Sequence, residues 1–173
     1  MKRFIALTLV LMMALALCAC GGEKAPAEAP AEAAAEAGSK FVFSLNGTAL
    51  PINADFAPLH DKLGAESSYF EAASCAFNGL DKTYTYGNVE IVTYPDGDID
   101  RISSIRFLDE NAATPEGIKI GSTTEEVVAA YGEDYEDNLG EYCYTDGDAQ
   151  LAVLFKDGKA ISVSYYSTAN LPA

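Results

Sequence analysis

Two stretches of the chain repeat the same order of structural signals, and this repetition limits the fold more than any other feature. Each stretch begins with an Ile twelve residues before a Gly: Ile52 with Gly64, and Ile120 with Gly132. The residues between them have the composition and spacing of a short helix, and a Gly directly after a helix is a common stop signal. The sequence therefore predicts two tandem units, at about residues 41–108 and 115–168.

Each predicted helix is followed by a pattern of strands. An Asp-Gly pair between two runs rich in β-branched and aromatic residues is a strong hairpin signal. This signal occurs at Asp96-Gly97 and again at Asp157-Gly158. A further strand precedes each hairpin. The predicted strands are residues 84–87, 89–94 and 102–107 in the first unit, and 142–147, 151–155 and 161–166 in the second.

These signals predict an α+β fold in which two tandem helix-plus-three-strand units form one antiparallel sheet covered on one face by two helices. Residues 41–45 would add a seventh strand, and residues 65–82 would be an insertion in the first unit. Asn53 or Asp55 is expected to cap the first helix. A capping-box pattern, Ser122-x-x-Glu125, precedes the second helix.

The first twenty residues have the pattern of an export signal. Met1-Lys2-Arg3 is positively charged, and the 14 residues from Phe4 to Leu17 are uncharged and mostly apolar. That length suits a signal peptide and is short for a spanning helix. The run that follows, Leu17-Cys18-Ala19-Cys20-Gly21, resembles the bacterial lipobox. The resemblance implies a signal peptide at residues 1–19 and a lipid on Cys20 that holds the mature chain on the extracytoplasmic face of the cell membrane.

Residues 20–39 are interpreted as the lipid anchor and a tether. Residues 21–39 contain 8 Ala, 4 Glu, 3 Gly and 2 Pro, without an aromatic or branched aliphatic side chain. Such a segment cannot build a core and is expected to be a disordered or partly helical tether. Apolar alternation begins near Phe41, so the folded domain is predicted at residues 40–173.

The chain is strongly acidic. Without Lys2 and Arg3 of the signal it has 9 basic and 26 acidic residues, a net charge of −17. Proteins that bind nucleic acid need clustered Lys and Arg to neutralise phosphates. The composition therefore excludes a nucleic-acid partner of that kind.

Few residues are available for metal or catalytic chemistry. His60 is the only His of the chain, and mid-helix it is interpreted as a half-buried structural residue without the neighbours that a zinc site or a catalytic triad requires. The acidic run 96–100 fails the calcium-loop pattern, because Arg101 and Phe107 stand where Gly and Glu are needed. The chain is therefore predicted not to be an enzyme and to bind no metal or cofactor.

Cys75 and Cys143 are the only thiols of the predicted domain. Export permits a disulfide, and a loop of this length would stabilise the fold by about 4 kcal/mol in the chain-entropy model. Cys143 lies on a predicted strand, whereas Cys75 lies in the predicted insertion. A disulfide and two separate buried thiols are both compatible with this placement.

Tyrosines occupy equivalent places in the two units. Tyr84 and Tyr86 share one face of a predicted strand, as do Tyr142 and Tyr144. If the helices cover the opposite, Thr and Cys side, these four residues form an aromatic protein-binding surface, for which Tyr is well suited. If the helices cover the Tyr side, the four residues belong to the core.

The run GIKIGSTTEEVVAAYG from Gly117 to Gly132 resembles the helix entry of the beta-lactamase inhibitory protein-like fold, which small outer-membrane assembly lipoproteins of the SmpA/OmlA type share. Residues 74–121 also resemble uncharacterised lipoproteins of Gram-positive bacteria. The resemblance covers about residues 41–166 and implies a tandem repeat whose curved sheet presents an aromatic-rich face to a protein. No inhibitory contact residue is matched, so inhibition of a beta-lactamase is not implied.

Two hypotheses of function follow. In the first, the chain is a membrane-anchored, non-catalytic module that binds an unidentified extracytoplasmic protein through its sheet, which predicts an exposed aromatic surface. In the second, it is a structural or assembly lipoprotein of an envelope complex, which predicts stable co-purification with that complex. An enzyme or a small-ligand carrier would require a deep pocket with convergent polar groups.

Overall fold

The computed structural model describes residues 39–169. The predicted signal peptide, Cys20 and residues 21–38 of the predicted tether lie outside the described residues. The elements in chain order are β1 (Val42–Leu45), β2 (Thr48–Pro51), α1 (Ala57–Leu63), β3 (Ser68–Ala73), β4 (Leu80–Tyr86), β5 (Val89–Asp96), β6 (Ile99–Phe107), α2 (Thr124–Tyr131), β7 (Glu136–Asn138), β8 (Glu141–Asp146), β9 (Ala149–Lys156) and β10 (Lys159–Ser167).

Strands β3 to β10 form one antiparallel sheet in the order β3-β4-β5-β6-β10-β9-β8-β7. Its two halves meet where β6 pairs with β10, with Ile105 opposite Tyr165. The hairpins predicted at the two Asp-Gly pairs are confirmed, since β5 pairs with β6 and β9 pairs with β10 across those turns. Asp157 and Gly158 both have positive φ, as a tight two-residue hairpin turn requires.

The predicted fold of two helix-plus-three-strand units is wrong. The structure is mostly sheet, and four strands rather than three follow each helix. Residues 65–82 are not an insertion, because they contain β3 and the start of β4. Residues 41–45 do not extend the large sheet, because β1 pairs with β2 in a separate two-stranded sheet.

The missed strands lie at the two edges of the sheet. Every residue of β3 is exposed, and so is every residue of the three-residue strand β7. A strand that buries neither face has no apolar alternation, so its sequence lacks the signal on which strand prediction depends. Short or charged edge strands such as β7 are a common way to end a sheet.

The two helices are short, with 7 residues in α1 and 8 in α2. The capping box of α2 is formed by Thr123 and Glu126, one residue after the predicted pair. Ser122 instead accepts a hydrogen bond from the Lys119 N–H at 3.2 Å. At the start of α1, Asp55 Oδ1 accepts a hydrogen bond from the Ala57 N–H at 3.1 Å.

The core lies between one face of the sheet and a layer made of α1, the β1–β2 hairpin and α2. Phe43 of the hairpin lies 5.1 Å from Phe107 and 6.0 Å from Tyr165, measured between ring centroids. We call this the covered face. Residues paired across it form a row from β4 to β8: Tyr84, Ile91, Ile105, Tyr165, Leu151 and Tyr144.

The opposite side of the sheet, which we call the open face, carries the alternate residues of the same strands. Its central row runs from β3 to β8 and consists of Phe70, Thr83, Val92, Ser104, Tyr166, Gln150 and Thr145.

Candidate functional site

The four tyrosines predicted as a binding surface lie on the covered face. Tyr86 and Tyr144 are buried, and Tyr84 and Tyr142 pack against the same core. The Tyr84 ring lies 4.8 Å from that of Phe56, just before α1. The structure therefore corresponds to the second of the two alternatives, in which the helices cover the Tyr side of both strands and the four tyrosines belong to the core or pack against it.

The environment of these phenols is that of a core. Burial raises the pKa of Tyr86 and of Tyr144 to about 12 and is also the main cause of the raised pKa of Tyr84. The Tyr144 hydroxyl donates a hydrogen bond to the Gly132 carbonyl at 3.1 Å, which ties β8 to the end of α2. All three phenols therefore stay neutral well above physiological pH.

His60 lies in α1 among aromatic rings. Its ring centroid is 5.2 Å from that of Tyr84 and 5.6 Å from that of Phe56, and its Nε2 atom is 3.3 Å from Oε2 of Glu66. Across residues 39–169 there is no group of three or more His, Cys, Asp or Glu placed to hold a metal ion. His60 thus has the half-buried packing position that its sequence predicted.

The two cysteines are not bonded to each other. Cys75 is exposed in the β3–β4 loop, whereas Cys143 is buried on β8. β8 lies five strand positions from β4, on the order of 24 Å at ordinary strand spacing, and a disulfide needs Cα atoms within about 7 Å. Burial raises the pKa of the Cys143 thiol, so this group stays protonated and unreactive.

A cavity of about 410 Å³ lies on the open face, between the β3–β4 loop on one side and the end of β10 on the other. That volume is in the range of small-ligand and side-chain pockets. The residues that line it are Ser74, Ala76, Phe77, Asp81, Val92, Tyr94, Ser103, Ser104, Gln150, Tyr166, Ser167, Thr168 and Ala169.

The loop that forms the first wall is held in place by its own hydrogen bonds. The Ser74 N–H donates to the Gly79 carbonyl at 3.0 Å, and Ser74 Oγ accepts from the Phe77 N–H at 3.2 Å. Gly79 has a φ of +139°, and a Cβ atom there would lie 2.8 Å from Cβ of Pro95. Only Gly allows the loop to lie this close to β5.

The opposite wall is fixed through Asn53, in the connection between β2 and α1. Ser167 Oγ donates a hydrogen bond to Asn53 Oδ1 at 2.6 Å, and the Tyr94 hydroxyl donates to the same oxygen at 3.3 Å. These bonds hold two of the residues that line the cavity against the half-buried amide of Asn53.

Aromatic rings supply much of the cavity's surface. Phe77 stacks on Tyr94 with ring centroids 4.9 Å apart and an interplanar angle of 29°. Tyr166 is 38 % exposed and Phe70, in the same row of the sheet, is 64 % exposed. An exposed Tyr in the wall of a pocket is typical of recognition surfaces.

Asp81 is the only charged side chain among the described residues that line the cavity. Its Oδ1 atom is buried and has no hydrogen-bond partner in the described part of the chain. A buried charged oxygen without a partner costs free energy. The site therefore combines three aromatic rings with an unsatisfied negative group.

The sequence did not reveal this site. Phe77 and Asp81 lie in the segment predicted as an insertion, and neither Tyr94 nor Tyr166 was among the predicted site residues. One signal was present in β4, where Thr83 and Thr85 alternate with Tyr84 and Tyr86. A half-buried strand normally turns the larger apolar ring inward, so this alternation favoured placing the tyrosines in the core.

Comparisons with protein-family models, with curated proteins and with solved structures found no match to this chain. Within residues 39–169, no helix is long and apolar enough to cross a membrane.

Proposed function

We propose that this chain is a non-catalytic protein-binding module, held on the extracytoplasmic face of the cell membrane by a lipid on Cys20, and that it meets its partner through the open face of the sheet. The observation that carries the proposal is the cavity of about 410 Å³ with Phe77, Tyr94 and Tyr166 in its walls. The binding surface thus lies opposite the one that the sequence suggested.

The composition of the cavity supports binding over catalysis. The described lining includes one carboxylate, that of Asp81, and no His, Lys, Arg or Cys. General acid–base catalysis most often uses a positioned His, and nucleophilic catalysis needs a nucleophile activated by an adjacent base or a lowered pKa. Rigid aromatic rings around a small polar centre suit an anchor residue of a partner protein.

The proposal is tested by site-specific photo-crosslinking on intact cells. A photoreactive phenylalanine replaces Tyr166 on the open face in one variant, and Ala129 on the exposed side of α2 in a matched control. We expect a discrete protein adduct from position 166 and none from position 129, because only the open face would touch the partner. Mass spectrometry of the adduct identifies the captured protein.

Adducts from both positions in equal yield would indicate random collisions, and an adduct from position 129 alone would place the interface on the helices. Either result would contradict the proposal.

The anchor is tested separately by Cys20→Ala. Because the lipobox needs its Cys for lipid transfer and cleavage, this variant should keep residues 1–19 and fail to acquire the lipid, as measured by intact mass. Cys18→Ala is the matched control and should be processed normally, since Leu17, Ala19 and Cys20 remain. Normal processing of Cys20→Ala would overturn the lipobox assignment.

A further inference from the structure

We propose that the cavity on the open face receives an arginine side chain of the partner protein, with Asp81 as its counter-ion. This inference rests on the proposed function, because it assigns the cation to the partner rather than to a free ligand. It is carried by three features of the site: the unsatisfied carboxylate, the aromatic walls and the polar groups beside them.

The Asp81 carboxylate has no ion pair among the described residues, and each of the three cationic side chains on β3 to β6 is paired with another carboxylate. Lys82 Nζ lies 2.5 Å from Asp100, Arg101 Nε lies 2.6 Å from Asp96, and an Nη atom of Arg106 lies 2.7 Å from Glu90. Asp81 forms no ion pair with the described residues, and it is partly exposed where it lines the cavity. Because its Oδ1 atom is closed to solvent, a cation from outside would meet the carboxylate at Oδ2 and form a charge-assisted hydrogen bond there.

The shape and the remaining polar groups favour guanidinium. A planar guanidinium stacks on aromatic rings, and Tyr166 offers an exposed ring at the rim of the cavity. Guanidinium carries five N–H donors, and Ser103 and Ser104, whose hydroxyl oxygens can accept hydrogen bonds, are among the residues that line the same cavity. Gln150 donates its Nε2 to Thr145 at 3.1 Å, which leaves its carbonyl oxygen available as an acceptor.

The overall charge acts in the same direction. The chain has 26 acidic and 11 basic residues, so its field attracts a basic partner surface and repels an acidic one. An acidic residue of the partner would meet both this field and the carboxylate of Asp81. Charge complementarity therefore selects a basic anchor for the pocket.

The first test titrates the full mature chain with N-acetyl-arginine amide and follows the backbone NMR signals of Val92, Tyr94 and Tyr166. We expect these signals to shift, and Asp81→Asn to weaken the affinity by about tenfold or more. The matched control Asp98→Asn removes the same charge from an exposed turn and should leave the affinity within about twofold. A second probe, N-acetyl-citrulline amide, has nearly the same shape as the arginine probe but no charge. We expect its affinity for the wild-type chain to be as low as the affinity of the arginine probe for Asp81→Asn, or lower.

Equal binding of the two probes, unchanged affinity in Asp81→Asn, or no shift of the cavity signals would each overturn the cation site. Asp81→Asn conserves the shape of the side chain, and its thermal unfolding midpoint is recorded beside that of Asp98→Asn so that a folding defect is recognised.

The second test identifies the source of the cation by introducing Asp81→Asn into the variant that crosslinks from position 166. A loss of most of the adduct, with no loss in Asp98→Asn, supports a side chain of the partner. An unchanged adduct together with weakened probe binding would overturn the partner assignment and leave a site for a free cation. The absence of any adduct with Asp81 intact would refute the proposed function itself. The probe titration needs no partner protein, so it tests the cation site even if the proposed function fails.

Discussion

Replacement of Tyr165 by Ala is expected to lower the free energy of unfolding by about 3–5 kcal/mol, the cost of removing a large aromatic side chain from a core. Tyr165 is 1 % exposed and lies between Ile105 and Leu151 at the centre of the covered face. Since small domains are stable by about 5–15 kcal/mol in total, much of the stability would be lost.

Tyr166 is the matched control, because it has the same side chain and is the next residue of the same strand. It points to the open face, where it is partly exposed. We expect Tyr166→Ala to change the free energy of unfolding by less than about 1 kcal/mol. The opposite placement of two adjacent tyrosines follows from the period of two in a β-strand.

Urea unfolding followed by circular dichroism measures both variants. Equal losses in the two would mean that both sides of β10 are covered, and a larger loss in Tyr166→Ala would reverse the assignment of the faces. Either result would remove the structural basis for placing the binding surface opposite the helices.

Replacement of Phe56 by Ala is expected to cost about 3–5 kcal/mol as well, with the loss concentrated around α1. Phe56 is 1 % exposed and directly precedes α1, and its ring lies 4.8 Å from that of Tyr84. Its N–H donates to the Asp100 carbonyl at 2.8 Å, and its carbonyl accepts from the His60 N–H at 2.8 Å. The side chain thus attaches a helix of only 7 residues to the sheet, and a helix this short has little stability of its own.

Phe70→Ala is the matched control, because it removes the same ring from the edge strand β3, where Phe70 is mostly exposed. That change should stay within about 0.5 kcal/mol. Hydrogen exchange of the α1 amides, measured with the unfolding midpoint, locates the effect. Rapid exchange in Phe56→Ala and not in Phe70→Ala is expected, whereas identical exchange in both would contradict the role of Phe56.

Features that depend on neighbours in sequence were predictable. The Asp-Gly hairpins at β5–β6 and β9–β10 formed where predicted, because a two-residue turn between apolar strands depends on local backbone geometry. Gly132 ends α2, and its N–H donates to the Val128 carbonyl. The capping box moved from Ser122 to Thr123, within the uncertainty of one or two residues that helix ends usually carry.

Features that depend on remote parts of the chain were not predictable from these patterns. The edge strands β3 and β7 bury neither face, so no alternation marked them. Whether Cys75 and Cys143 can form a disulfide depends on the distance between their strands, and that distance follows only from the strand order of the sheet. Predicting the cavity would have required knowledge of the strand register that places Val92, Ser104 and Tyr166 in one row. Part of that register comes from the pairing of β6 with β10, which are far apart in sequence.

By itself, the sequence determined where the chain turns, where each helix stops and that two strands present tyrosines on one face. Only the tertiary structure decided which face is covered. An alternating strand defines two faces, but the choice between them depends on where distant helices and the β1–β2 hairpin pack, and here their apolar residues bury the Tyr side. The tertiary structure also decided the ion pairs: among the described residues, Lys82, Arg101 and Arg106 pair with Asp100, Asp96 and Glu90, and Asp81 has no ion pair.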